Sequence, residues 1–167
     1  MNSSKSIRSM SSALFIAILA MGLTSTSAVA ATTTAPIAIS ATVVSSCSVT
    51  VSTGGVSFGN YTATAASAST ATLTLQCTNG NAYTVGLNGG TSGSVTARTM
   101  MNGTTPLNYV LTTDSAHLNN WGNTTGTWVS GSGNGNTQTL TVYGQIPANQ
   151  FVTVGSYADS VTATVTY

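Results

Sequence analysis

Charge is what this sequence has least of. Its 167 residues include three Lys and Arg, two Asp and Glu and one His, so charged side chains make up 3% of the chain. Lys5 and Arg8 stand within the first ten residues, and beyond them only Arg98, Asp114 and Asp159 are charged, with His117 the single imidazole. A chain so poor in cations has no basic stripe to neutralise phosphates and release counterions, which argues against nucleic acid as a partner. Cysteine occurs twice, and no His, Cys or Asp has the spacing of a metal site, so neither a metal nor a cofactor is expected.

The N-terminal residues differ from the rest. Lys5 and Arg8 precede an uncharged run at 12–23, and Ala28-Val29-Ala30 follows as a small-residue cleavage pattern. This is the layout of a secretory signal. The apolar run is shorter than the roughly 20 residues needed to span hydrocarbon. The expected organisation is a signal peptide at 1–30, cleaved after Ala30, and an exported chain from Ala31. That chain keeps Arg98 against Asp114 and Asp159, a net charge of −1. Its ~137 residues suit one domain with a core of its own.

What is abundant is Thr, Ser, Gly, Asn, Ala and Val, a mixture that favours strands joined by tight turns. Low charge with much Ser and Gly also fits a disordered linker, but disorder lacks periodic apolar residues. Here the period is two. Ile37, Ile39, Ala41 and Val43 alternate with small or polar residues, as do Cys47, Val49 and Val51, then Leu73, Leu75 and Cys77, and finally Val161, Ala163, Val165 and Tyr167. Further strands are expected at 83–87, 107–112 and 138–143, with a Ser/Thr/Ala-rich connection before Leu73 and loops around one short strand at 114–136. The fold class is all-β.

Cys47 and Cys77 form an even pair in a chain bound for an oxidising compartment, which reads as a disulfide. Closing a loop of about 30 residues contributes roughly 3–4 kcal/mol on the chain-entropy scale. Both cysteines share a face with core residues, so the bridge is expected to join two core-facing strands, as in an immunoglobulin-like sandwich.

The last alternating segment, 161–167, has no later strand to pair with, and a sandwich strand without a neighbour leaves backbone groups and core open. At the other end, residues 34–43 lie before the disulfide and are free to leave their own domain. An incomplete sheet and a loose strand are the two parts of strand addition between chains.

The order of short motifs is distinctive: Cys47-x-Val49, Val56-Ser57-Phe58-Gly59-x-Tyr61, Leu73-Thr74-Leu75-Gln76-Cys77, Arg98-Thr99-Met100, Leu107-x-Tyr109, Trp121-Gly122, the run from Leu140 to Pro147, Gly155-Ser156-Tyr157-x-Asp159-Ser160-Val161 and the end Val165-Thr166-Tyr167. In this order they resemble the spore coat protein U domain, found in subunits of archaic, Csu-type chaperone–usher pili. The resemblance covers essentially the whole exported chain. It implies an incomplete immunoglobulin-like β-sandwich lacking its last strand (45–167), held by a periplasmic chaperone, passed to an outer-membrane usher and completed by donor-strand exchange with neighbouring subunits at the cell surface, in a fimbrium that supports attachment and biofilm formation. The donor would be the extension 31–44 through Ile37, Ile39, Ala41 and Val43, with Ala41 small for a pocket-filling position. The accepting edge would be Val161, Ala163, Val165 and Tyr167. Alternatives are a secreted spore-coat or surface-matrix protein and a glycan-binding tip module.

The candidate reactive residues carry little. His117 follows Asp114 in a loop-like stretch without a nucleophile motif, which reads as a turn rather than a triad. Asp114 and Asp159 have nothing to bring them together as paired acids, and Asp159 reads as ordering the turn before the last strand. The glycines at 131–136 lack the Lys and helix of a phosphate loop and read as a hairpin-type loop. Trp121, Trp128 and Tyr109 could stack on sugars but read as core, and Met100-Met101 as core filler. An enzyme is not expected.

Overall fold

The computed structural model describes residues 28–167; most of the expected signal segment therefore lies outside the described residues. Eight strands follow one another: β1 (Cys47–Val51), β2 (Ser67–Cys77), β3 (Ala82–Leu87), β4 (Arg98–Asn102), β5 (Thr105–Thr112), β6 (Val129–Ser132), β7 (Thr137–Ile146) and β8 (Ala163–Thr166), with one 3₁₀ turn at Gly90–Ser92. They form a five-stranded sheet in the order β1-β2-β7-β5-β4 and a three-stranded sheet in the order β6-β3-β8. Every pairing is antiparallel. The all-β, immunoglobulin-like sandwich expected from the sequence is the fold.

Residues 28–40 carry no helix or strand, and Ile37 and Ile39 are exposed there. Residues 41–46 likewise carry none, with Val43 and Val44 exposed.

Period two decides the faces. In β2, Leu73, Leu75 and Cys77 are buried, while Thr72, Thr74 and Gln76 face outward. Their inner side meets Val85 and Leu87 of β3 and Trp121 in one core cluster. Each fully buried aliphatic side chain is worth about 1.5–3 kcal/mol relative to exposure. Trp121 satisfies its indole by donating to the carbonyl of Val85 at 2.8 Å.

Three elements depart from expectation. The Ser/Thr/Ala run read as a connection is the first half of β2, where residues 67–72 pair with Ile146–Thr141 of β7; small side chains are weak strand formers, but the long partner ladder overrides local preference. Arg98–Asn102 is a strand, the outer arm of a hairpin with β5. The glycine run at 131–136 does not close a hairpin: Gly131 and Ser132 belong to β6, and 133–136 carry the chain from the small sheet to β7 in the large one.

The disulfide joins Cys47 and Cys77, as expected. The two residues are direct partners in the β1–β2 ladder, so the bridge lies within one sheet between adjacent strands. The cause is topological: among the described residues β1 is an edge strand whose one neighbour in the sheet is β2.

Candidate functional site: an open cleft beside the last strand

Beside β8, where the small sheet stops, the large sheet carries a cleft of about 1180 Å³, above the roughly 300–1,000 Å³ of a small-molecule pocket. Leu73, Leu107, Leu111, Val142 and Ile146 lie at its base, each no more than 4% exposed, and its sides are the connection at 54–63 and the segment at 150–161. Beside it, β8 has β3 as its only strand partner among the described residues. Unpaired N–H and C=O groups along such an edge invite another strand.

Of the residues expected on this edge, Val161 and Ala163 line the cleft and Val165 is half-buried against the core. Tyr167 lies past the end of β8 and is 55% exposed. The expected donor residues Ile37, Ile39, Ala41 and Val43 lie in the stretch without strands.

Beneath one side of the cleft, Gly144 of β7 gives room to the 54–63 connection. A Cβ at Gly144 would come within 2.6 Å of Val56 Cγ1 and 2.9 Å of Phe58 Cζ. Phe58 in turn meets the ring of Tyr109 edge-on, with centroids 6.3 Å apart. Tyr61 anchors the opposite side by donating to the carbonyl of Pro147 at 2.8 Å and accepting from the backbone N–H of Gln150 at 3.2 Å. The Gln150 side chain pairs with both backbone groups of Asn108, its Oε1 accepting at 2.8 Å and its Nε2 donating at 2.9 Å. It thereby takes the place of a strand partner where the β5–β7 register has ended.

Asp159 is the polar centre of the cleft wall. Its Oδ1 accepts from the Thr91 backbone N–H at 2.7 Å, the Thr91 hydroxyl at 2.6 Å and the Ser160 N–H at 2.7 Å, while Oδ2 accepts from the Tyr109 hydroxyl at 2.5 Å. Partial burial pushes this carboxyl up, but the hydrogen bonds from Thr91, Tyr109 and Ser160 outweigh it and hold it below the ordinary value. Burial, and then the bond to Asp159, push the Tyr109 hydroxyl up. The expected turn-ordering role of Asp159 is present, and it reaches further than the turn.

Behind Tyr109 lies Arg98, its direct partner in the β4–β5 ladder and fully buried. Its guanidinium donates to the carbonyls of Leu87, Asn88, Val95 and Trp121, at distances from 2.8 to 3.1 Å. Burial lowers its pKa, and Tyr109 and Asp159 act against that. Nothing in the local sequence marks Arg98 as a buried cation; its isolation in an almost uncharged chain was the one available signal.

The remaining candidates separate. The Asp114 carboxylate accepts from the backbone N–H groups of Ala116, Leu118 and Asn119 and closes its own loop. His117 instead lies 3.1 Å from the Thr112 hydroxyl through Nδ1. Trp121 and Tyr109 are core residues, and Trp128 is half-buried.

The model of the spore coat protein U domain matches residues 33–164. The chain belongs to this family. It is 33% identical to Protein U of Myxococcus xanthus over an alignment of 138 positions, covering 72% of this chain and 77% of that protein. Its fold is similar to a chain in the solved chaperone–tip adhesion subunit pre-assembly complex from the archaic chaperone–usher Csu pili of Acinetobacter baumannii, with a TM-score of 0.56 at 22% identity over 75% of this chain. The protein spans 41% of the length of that Csu chain.

Proposed function

We propose that this spore coat protein U family member is a structural subunit of a bacterial surface pilus whose cleft takes a strand from a neighbouring copy. The observation that carries the reading is the cleft beside the edge strand β8, whose only strand partner among the described residues is β3, in a chain whose 31–44 segment has the alternating pattern of a strand and no strand of its own. Ile37, Ile39, Ala41 and Val43 of one subunit are the donor side chains, Val161 and Ala163 line the cleft that receives them, and Val165 follows on the same strand. Tyr167 lies at the far end of the same edge. Likeness to a chain of a chaperone–subunit complex from chaperone–usher pili supports a periplasmic chaperone that covers the cleft before assembly; passage through an outer-membrane usher into a surface fimbrium that serves attachment and biofilm formation completes the proposal. The chemistry is non-covalent: burial of apolar side chains and completion of backbone ladders. Neither the cleft nor the Asp114 loop assembles a nucleophile and base, and we do not read the protein as an enzyme.

The test is expression with export. The full chain should give a ladder of oligomers that survives unheated detergent and collapses on boiling. A chain lacking residues 31–43 should remain monomeric; if it still forms a ladder, the donor assignment fails. The relative from Myxococcus and the family's description favour a second reading, a coat or surface-matrix protein. A stable monomer with no ladder would select it.

A further inference from the structure

The cleft needs more than an open edge. It needs that edge held in place while the cleft is empty, and β8 is poorly supported for that task. Its four residues pair only with Thr84–Leu87 of β3 among the described residues. So short an edge strand is expected to fray unless something fixes its start.

The contacts that do so fall within five residues. Ala158 exchanges backbone hydrogen bonds with Met101 at 2.9 and 3.2 Å, and Thr162 does so with Asn88, whose Oδ1 accepts its N–H at 2.9 Å and whose N–H donates to its carbonyl at 3.1 Å. Between them, Asp159 alone reaches both the 3₁₀ turn, at Thr91, and the cleft floor, at Tyr109. The connections then close on themselves. Tyr109 is paired with Arg98, Arg98 grips the carbonyl of Leu87, and Leu87 is the ladder partner of Ala163, the first residue of β8. Gly90 completes the seat: a Cβ there would lie 2.1 Å from Asp159 Oδ2, and its φ of +60° is one that other residues rarely adopt.

We infer that Asp159 is a positioning residue for strand acceptance: it locks the entry of β8 against Thr91 and Tyr109, so that the edge beside the empty cleft is presented in register. The inference rests on the pilus-subunit reading for its purpose and on the geometry alone for its mechanism. Once a donor strand is seated, β8 is paired on both sides and the lock matters less. Asp159 should therefore govern how fast a strand is accepted more than how firmly it is held.

The experiment compares Asp159→Asn, Tyr109→Phe and Gly90→Ala with the wild-type exported chain, and uses Asp114→Asn as the control, a carboxylate with similar backbone partners on another loop. Hydrogen exchange on freshly refolded monomer is the first readout. Exchange over 160–166 should rise roughly tenfold in Asp159→Asn, the scale of one lost charged hydrogen bond, with β2 and β7 unchanged. Growth of the detergent-resistant ladder is the second, and should slow by a similar factor while the melting midpoint of the finished polymer stays at the wild-type value. Unchanged exchange at 160–166, a rise shared by every strand, an equal effect of Asp114→Asn, or a polymer midpoint that falls in step with the growth rate would each overturn the proposal. If wild-type chain forms no ladder, the pilus reading falls, and hydrogen exchange alone decides whether Asp159 holds the edge.

Discussion

Phe58 lies over Gly144 so closely that the strand beneath it has no room for a side chain. The irregular segment at 54–63 and the central strand β7 are thereby fitted to one another, and the resulting contact, with Tyr109 at its edge, shapes one side of the cleft. Gly144→Val should displace Val56 and Phe58 and cost roughly 1–3 kcal/mol, the usual scale of overpacking. Urea unfolding of the oxidised protein would read it, and a midpoint equal to wild type would contradict the packing described.

Arg98 is the only Lys or Arg from residue 28 onward, and it is fully buried. Trypsin should therefore leave the folded domain intact and cut after Arg98 only when the domain opens, so digestion should accelerate with urea in parallel with loss of tryptophan fluorescence. Arg98→Met should be more damaging than a typical core change, by roughly 3 kcal/mol or more, because at least four carbonyls lose their donor at once. Rapid tryptic cleavage of the native protein would refute the burial.

The disulfide holds the edge strand β1 to its neighbour β2. Replacing both cysteines by Ala should lower stability by about 3 kcal/mol and release β1 first. Hydrogen exchange would show this as faster exchange over 47–51 than over β7. Equal loosening of both strands would argue against a local role for the bridge.

Acid should weaken the domain through two carboxylates. The N–H of Asn119 foremost, then those of Leu118 and Ala116, hold Asp114 below its ordinary value of 3.8, and Asp159 is lowered by Thr91, Tyr109 and Ser160 against partial burial. A lowered folded value means the unfolded chain binds protons first as pH falls. The stabilisation is therefore complete above about 3.8 and is lost as pH drops through the folded values. Tyr109 has the opposite sense: its raised value gives stability that is full below 10 and declines as pH rises beyond it. Thermal midpoints should be level from pH 5 to 9 and fall on both sides, with a smaller acid loss in Asp159→Asn.

Much of the architecture was readable because it is local. Alternation in Leu73-Thr74-Leu75-Gln76-Cys77 and in Val161–Tyr167 marks strands from side-chain period alone, and the pair of cysteines in a chain expected to be exported marks a disulfide. The first half of β2 was not readable, since its Ser and Ala residues are weak strand formers that offset Thr, and it becomes a strand because β7 offers ten register partners along β2. The cleft's location was not legible: the roles of Gly144, Gln150 and Phe58 come from residues distant in sequence.

The amino-acid sequence by itself determined the all-β class, the inward and outward faces, the oxidised cysteine pair and the scarcity of ionisable groups that leaves little material for catalysis. Only the tertiary structure decided that the disulfide stays within one sheet, that Arg98 is buried among carbonyls, and that Asp159 ties Thr91 to Tyr109 beside the cleft. The reason is physical. A side chain's period is set by its neighbours in the chain, but its burial and its hydrogen-bond partners are set by strands that meet it from 10 to 70 residues away.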